Sequence, residues 1–163
     1  MGVLDEKFKA KPLNYFIQCG IAAAVIGLLM SFVNLIEHTG VVAALGATTF
    51  MIFTMPHRVS CRPRYVVGGY IVGIAVGIAC SQAYDYMPAW HTHAGLAITG
   101  GIAVGLAAFL MVTTNSEHPP AAGVALGLVL QPWDVPSLFF VLGCVVALSA
   151  VKVLLRRVMI DLL

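Results

Sequence analysis

Charge is the property this sequence has least of. Only 10% of its 163 residues are Asp, Glu, Lys or Arg, against about 25% in soluble domains. With 60% hydrophobic residues and a mean hydropathy of +0.96, that excludes a soluble globular domain and leaves an integral membrane protein. The nine Lys and Arg residues fall between apolar runs and form no stripe, so the net charge of +2 carries no nucleic-acid signal. Cysteine is sparse too. Cys19, Cys80 and Cys144 sit inside apolar runs and Cys61 in a basic loop, with no CxxC pair and no disulfide spacing. They read as small packing residues.

What remains is apolar sequence in six runs, at about residues 14–36, 39–55, 65–84, 94–114, 119–130 and 136–155. Four are long enough to span a bilayer of roughly 30 Å. The second and fifth reach only about 18 to 25 Å at 1.5 Å per residue. They are either re-entrant or cross with one end sunk below the surface. Charge favours crossing. If all six cross and the N-terminus is cytoplasmic, then Lys7, Lys9, Lys11, Arg58, Arg62, Arg64, Lys152, Arg156 and Arg157 all lie inside, as the positive-inside rule asks. Tyr84, Tyr86, Trp90 and Trp133 would then form an outer aromatic belt, and Tyr15 and Tyr65 an inner one. The expectation is one all-α polytopic transmembrane domain over 1–163, with 1–12 a short cytoplasmic lead-in. Both termini would face the cytoplasm of a cell (inner) membrane.

The order long, short, long recurs, and Glu37-His38 before an Ala/Gly/Leu tail is echoed by Glu117-His118 about 80 residues later. Three crossings per half make this a 3+3 inverted repeat, in which paired short, Gly/Pro-interrupted segments point to a transporter binding site. Gly69, Gly73 and Gly77, then Gly101 and Gly105, then Gly123 and Gly127, read as close helix packing.

The stretch that interrupts the apolar pattern most sharply is Thr113-Thr114-Asn115-Ser116-Glu117-His118-Pro119-Pro120-Ala121-Ala122-Gly123. Proline suits the first turn of a helix and drives the residue before it out of the α region. A helix should therefore end near Asn115 and another begin at Pro119, with N–H groups of Ala121, Ala122 and Gly123 free in its first turn.

Gly46-Ala47-Thr48, Pro56, Pro63-Arg64, Gly68-Gly69 and above all His118-Pro119-Pro120-Ala121 resemble the HPP family of small integral membrane proteins, over about residues 40–150. Arg62 and Glu117 depart from the family's usual pattern. The resemblance implies a four-helix membrane count that omits the two short runs. It also implies transport of a small inorganic anion, nitrite being the candidate named by plastid and cyanobacterial members.

No Lys or Arg occupies the middle of an apolar run, so an anion would rely on helix N-termini and hydroxyls. If the repeat is inverted, the first turns at Thr39-Gly40 and Ala121-Ala122-Gly123 would face each other across a central site. Thr48, Thr49, Thr113, Thr114 and Asn115 would add hydrogen-bonding groups. His118, Glu117, Glu37 and His38 are the candidates for a proton or coupling role. Arg58, Arg62 and Arg64 would draw anions to the inner mouth.

Plainer readings stand beside these. His118-Pro119-Pro120 serves equally as an interfacial helix start, the two glutamates as caps, and the arginines as topology signals alone. Asp85, His91 and His93 are a thin set for a metal, and no cofactor or enzymatic activity is expected. The alternatives to a transporter are a membrane metalloenzyme using the Glu-His pairs and a non-transporting assembly or sensor subunit. The expected partners are the anion, the lipid bilayer and further copies of the chain in a homo-oligomer.

Overall fold

A computed structural model describes residues 6–31 and 39–163. Seven helices run in order: α1 (Glu6–Ala10), α2 (Pro12–Met30), α3 (Thr39–Thr54), α4 (Pro63–Asp85), α5 (His93–Thr113), α6 (Pro119–Leu130) and α7 (Val135–Leu155). Single 3-10 turns at Val59–Cys61 and Pro88–Trp90 precede α4 and α5.

Local chemistry explains the starts. Proline occupies the first or second position of α2, α4, α6 and α7, where no intrahelical N–H is needed. Thr92 caps α5 by accepting from the Gly95 N–H at 3.0 Å. Asp134 and Ser137 form a reciprocal capping box at α7. The end of α5 is a Schellman motif: the Asn115 N–H donates to the Val112 carbonyl and the Ser116 N–H to the Met111 carbonyl. Asn115 supplies the left-handed residue this requires, at φ 53°. The break expected at 113–118 is thus a complete helix stop.

The short helix α6 is the hub, packed by α3, α4 and α5. On α4, Gly69, Gly73 and Gly77 face His118, Ala121 and Ala125 in turn, so α4 and α6 run the same way with backbones nearly touching. On α3 the order is reversed. A Cβ at Gly40 would lie 3.0 Å from the Gly127 Cα, one at Gly123 would lie 3.7 Å from the Ala44 Cβ, and Thr48 meets His118. The two short helices are therefore antiparallel, each running from one end of the bundle towards the other.

This arrangement overturns one expectation. Gly40 sits at the far end of α6, its N–H donating to Gln131 Oε1 at 3.2 Å, while Ala121 lies at the other end. The two helix N-termini do not face each other. Small residues along the whole pair bring the helices together side by side, and side-by-side antiparallel packing sends their starts to opposite ends. The neighbours of the short helices correspond, α3 packing on α2, α6 and α7 and α6 on α5, α3 and α4, but the extensive α4–α5 contact has no equal between α2 and α7.

The glycine ladders part company. Gly69, Gly73 and Gly77 are closely packed as expected, and so is Gly127. A Cβ at Gly101 or Gly105 would meet nothing within 4 Å, because these residues lie on the exposed face of α5 and only its Gly100 side touches α6.

Helix α2 sits at the periphery and buries a single residue, Gln18, 3% exposed. Its amide nitrogen donates to the Phe53 and Ile160 carbonyls at 2.8 and 2.9 Å, and its oxygen accepts from the Ile160 N–H at 3.0 Å. Tyr15 donates to the Leu162 carbonyl, and the Leu162 N–H to the Thr54 carbonyl. The segment after α7 is thereby strapped across the ends of α2 and α3. Gln18→Leu strands three buried backbone groups and should cost about 2–4 kcal/mol. A lower thermal midpoint in detergent, with new protease cleavage beyond Leu155, is the expected reading; an unchanged midpoint would mean the strap is not held this way.

Candidate functional site

His118 is the N-cap of α6, extended at φ −136° as a residue before proline must be, and it is wholly buried. It lies level with Gly69, six residues or about 9 Å along α4 from Pro63. The start of α6 is sunk into the bundle, as one of the two geometries considered for a short crossing helix requires.

Three elements converge on the ring. Its Nδ1 lies 2.8 Å from the Ser60 carbonyl, which has no proton to give, so Nδ1 carries one and donates it. In the neutral ring Nε2 is then an acceptor and takes the Thr48 hydroxyl at 2.9 Å. The Thr48 oxygen in turn accepts from the Tyr70 hydroxyl at 2.8 Å. Thr48 and Tyr70 are also fully buried. The relay Tyr70 to Thr48 to His118 to Ser60 satisfies every member and fixes the imidazole tautomer.

The sequence-selected residues separate around this node. Thr48 joins His118. Thr49, Thr113 and Thr114 return their hydroxyls to carbonyls of their own helices, and Thr114 also pairs with the Ser116 hydroxyl at 2.8 Å. Asn115 accepts from the Tyr65 hydroxyl at 3.1 Å. Glu117 is exposed, beside but not in the node. Pro119 is exposed, whereas Pro120 and Ala121 are buried against α4, with Ala122 and Gly123 half-buried. Glu37, His38 and the side chain of Thr39 lie outside the described residues.

The expected free N–H groups at α6 are corrected. Two of the first-turn positions are prolines with no N–H, and the Ala121 N–H donates to the His118 carbonyl at 2.9 Å. The feature that starts the helix also removes the donors an anion would use.

Arg58, Arg62 and Arg64 are exposed around the 56–62 loop, and Arg62 helps line a cavity of about 370 Å³ with Pro56, His57, Lys152, Arg156 and Arg157. The loop is shared: Ser60, which holds His118, is two residues from Arg62. Beside it Cys61 is buried and directs its thiol to the Met51 carbonyl at 3.4 Å. Burial pushes that thiol up from its ordinary pKa, keeping it protonated. A second cavity, of about 520 Å³, lies at the opposite end between Ser81, Asp85, Gln131 and Trp133, where the indole donates to the Ser81 hydroxyl at 3.2 Å. His91 stacks on Tyr84 and donates to its carbonyl. Among the described residues no three His, Cys, Asp or Glu side chains group as metal ligands.

Tyr70, Ser60 and Gln18 were not singled out from sequence. Tyr70 had a signal: it shares the face of Gly69, Gly73 and Gly77, and a tyrosine on a closely packed stripe needs a partner for its hydroxyl.

Four apolar helices of 19 to 23 residues, holding two shorter ones, define a multi-pass helical membrane protein. Four is the number that the resemblance implied with the two short runs, α3 and α6, set apart. The chain belongs to the HPP family, whose transmembrane region matches residues 8–161, and the His118-Pro119-Pro120 tripeptide starts its most enclosed helix. A transmembrane protein of Dictyostelium discoideum is 30% identical over 95 residues, 56% of this chain and 32% of that protein. The match thus spans about a third of the relative's length. No solved structure matches.

Proposed function

We propose that this protein is a transporter, not an enzyme, moving a small inorganic anion, with nitrite the first candidate, and that its basic end faces the cytoplasm with both termini. The observation that carries the reading is the shared loop. A cavity lined by basic residues lies on one side of residues 56–62, and on the other the Ser60 carbonyl holds the His118 ring where two short helices meet. In the closed bundle the node has no room for an ion. Withdrawal of Ser60 would free the Nδ1–H and open His118 to the cavity, giving an anion a donor and a proton together. The corresponding neighbours of α3 and α6 suit alternating access between the two cavities. The open face around Gly101 and Gly105 on α5 suits contact with a second copy.

The test is flux into liposomes holding only this protein, comparing nitrite, nitrate, formate and chloride across a pH series. Saturable nitrite flux is expected, reduced about tenfold by Thr48→Val. Flux equal to that of empty liposomes for every anion would sink the proposal.

A further inference from the structure

The cavity at the basic end carries more charge than attraction of a monovalent anion needs. Arg62, Lys152, Arg156 and Arg157 all line it, and no carboxylate does. The nearest acid, Asp161, is already engaged by His57, accepting from its backbone N–H at 3.0 Å and meeting its Nδ1 at 3.3 Å. Among the described residues none of the four cations forms an ion pair. Arg62 and the Asp161 carboxylate are both near enough to act on Lys152, the first repelling its charge and the second attracting it.

Lys152 is the telling residue. It is 9% exposed, its ammonium has no hydrogen-bond partner among the described residues, and it opens on the cavity. Its carbon stem is enclosed while its ammonium keeps solvent contact through the cavity, so the charge is held at the opening. Its position in the last turn of α7 offers it a helix C-terminus, worth only about half a negative charge. Arg62, Arg156 and Arg157 are exposed, so their guanidinium groups meet solvent around the same opening.

We infer that this cavity is a binding site for a phosphate group, held by the Arg62, Arg156 and Arg157 guanidinium groups and the Lys152 ammonium. Guanidinium forks match tetrahedral oxyanions two oxygens at a time, and an ammonium serves as a point charge beside them. Phosphate monoesters carry about −1.5 to −2 charges near neutral pH, nearer to what four cations require than any monovalent anion. At about 370 Å³ the cavity equals roughly a dozen waters at ~30 Å³ each, enough for a phosphate with an attached group. It lies at the helix ends, within reach of both a soluble phosphate and a lipid headgroup. The inference does not depend on the transport reading.

Binding of radiolabelled inorganic phosphate to the purified protein in uncharged detergent tests the soluble source. Nanodiscs of phosphatidylcholine with and without phosphatidic acid test the lipid source. One saturable site per chain is expected, or a selective rise in thermal midpoint with phosphatidic acid. At ligand tenfold above half-saturation the midpoint should rise by about 3–6 °C. The double variant Arg156→Gln/Arg157→Gln should abolish both effects. Should it fail to fold, Arg156→Lys/Arg157→Lys keeps the charge, loses the forks and should bind at least tenfold more weakly. Absence of saturable phosphate binding together with no preference for phosphatidic acid would overturn the site. So would an equal midpoint shift with chloride at matched ionic strength. Both readouts are independent of flux, so their failure is distinct from failure of transport.

Discussion

Gly73→Ala should be among the most damaging single-methyl changes in this protein. A Cβ at Gly73 points straight at the Ala121 carbonyl oxygen, which is backbone and has no rotamer to relieve the clash. The only escape is for α4 and α6 to move apart. That would loosen the contacts of Gly69 with His118 and of Gly77 with Ala125 along the same seam. The expected loss is about 3 kcal/mol or more, at the upper end of overpacking costs. Gly143→Ala on α7 is the matched control. It adds the same methyl in open space on an exposed helix, where alanine's better helix propensity should leave stability unchanged or raised by up to about 1 kcal/mol. Thermal or denaturant unfolding of both variants in one detergent gives the comparison. Equal stability would mean that α4 and α6 do not approach as described.

His118→Ala should cost about 3–5 kcal/mol. It leaves a void where a fully enclosed ring stood, and it strands the Ser60 carbonyl and the Thr48 hydroxyl. Tyr70→Phe alone removes only the head of the relay and should cost about 1–2 kcal/mol. Because the three side chains share one hydrogen-bonded chain, the double variant should be less destabilised than the sum, by at least 0.5 kcal/mol. Strict additivity, or a loss below about 1 kcal/mol for His118→Ala, would show that the ring is not locked into this relay in the resting protein.

Helix boundaries were the most legible part of the fold. Pro119 marks a start by its own backbone chemistry, which operates over a few residues and so is written locally. Helix faces were legible only halfway. Gly69/Gly73/Gly77 and Gly101/Gly105 have the same spacing, yet the first set is covered by α6 and the second lies open. Periodicity says which residues share a face and nothing about what covers it. The same limit hid the fate of the short helices. Their opposed directions could be counted from the crossings, but which ends meet depends on the lateral contacts of Gly40 with Gly127 and Thr48 with His118.

The candidate site was read at its centre and missed at its edges. His118 and Thr48 were both selected, although 70 residues separate them. Ser60 escaped because its contribution is a backbone carbonyl, which side-chain chemistry does not announce. In the sequence Lys152, Arg156 and Arg157 carry a topology signal alone, because their cavity exists only once α7 is brought beside the 56–62 loop.

Gln18 also sets a timetable for biogenesis. Its partners Phe53 and Ile160 lie 35 and 142 residues further along the chain. At a translation rate of about 5–20 residues per second, roughly 7 to 28 s pass between synthesis of Gln18 and of Ile160. Phe53 can take one amide proton early, but until Ile160 is made the rest of the amide lacks its final partners in a solvent that offers few others. The docking of the first long helix is therefore expected to be completed only late in assembly.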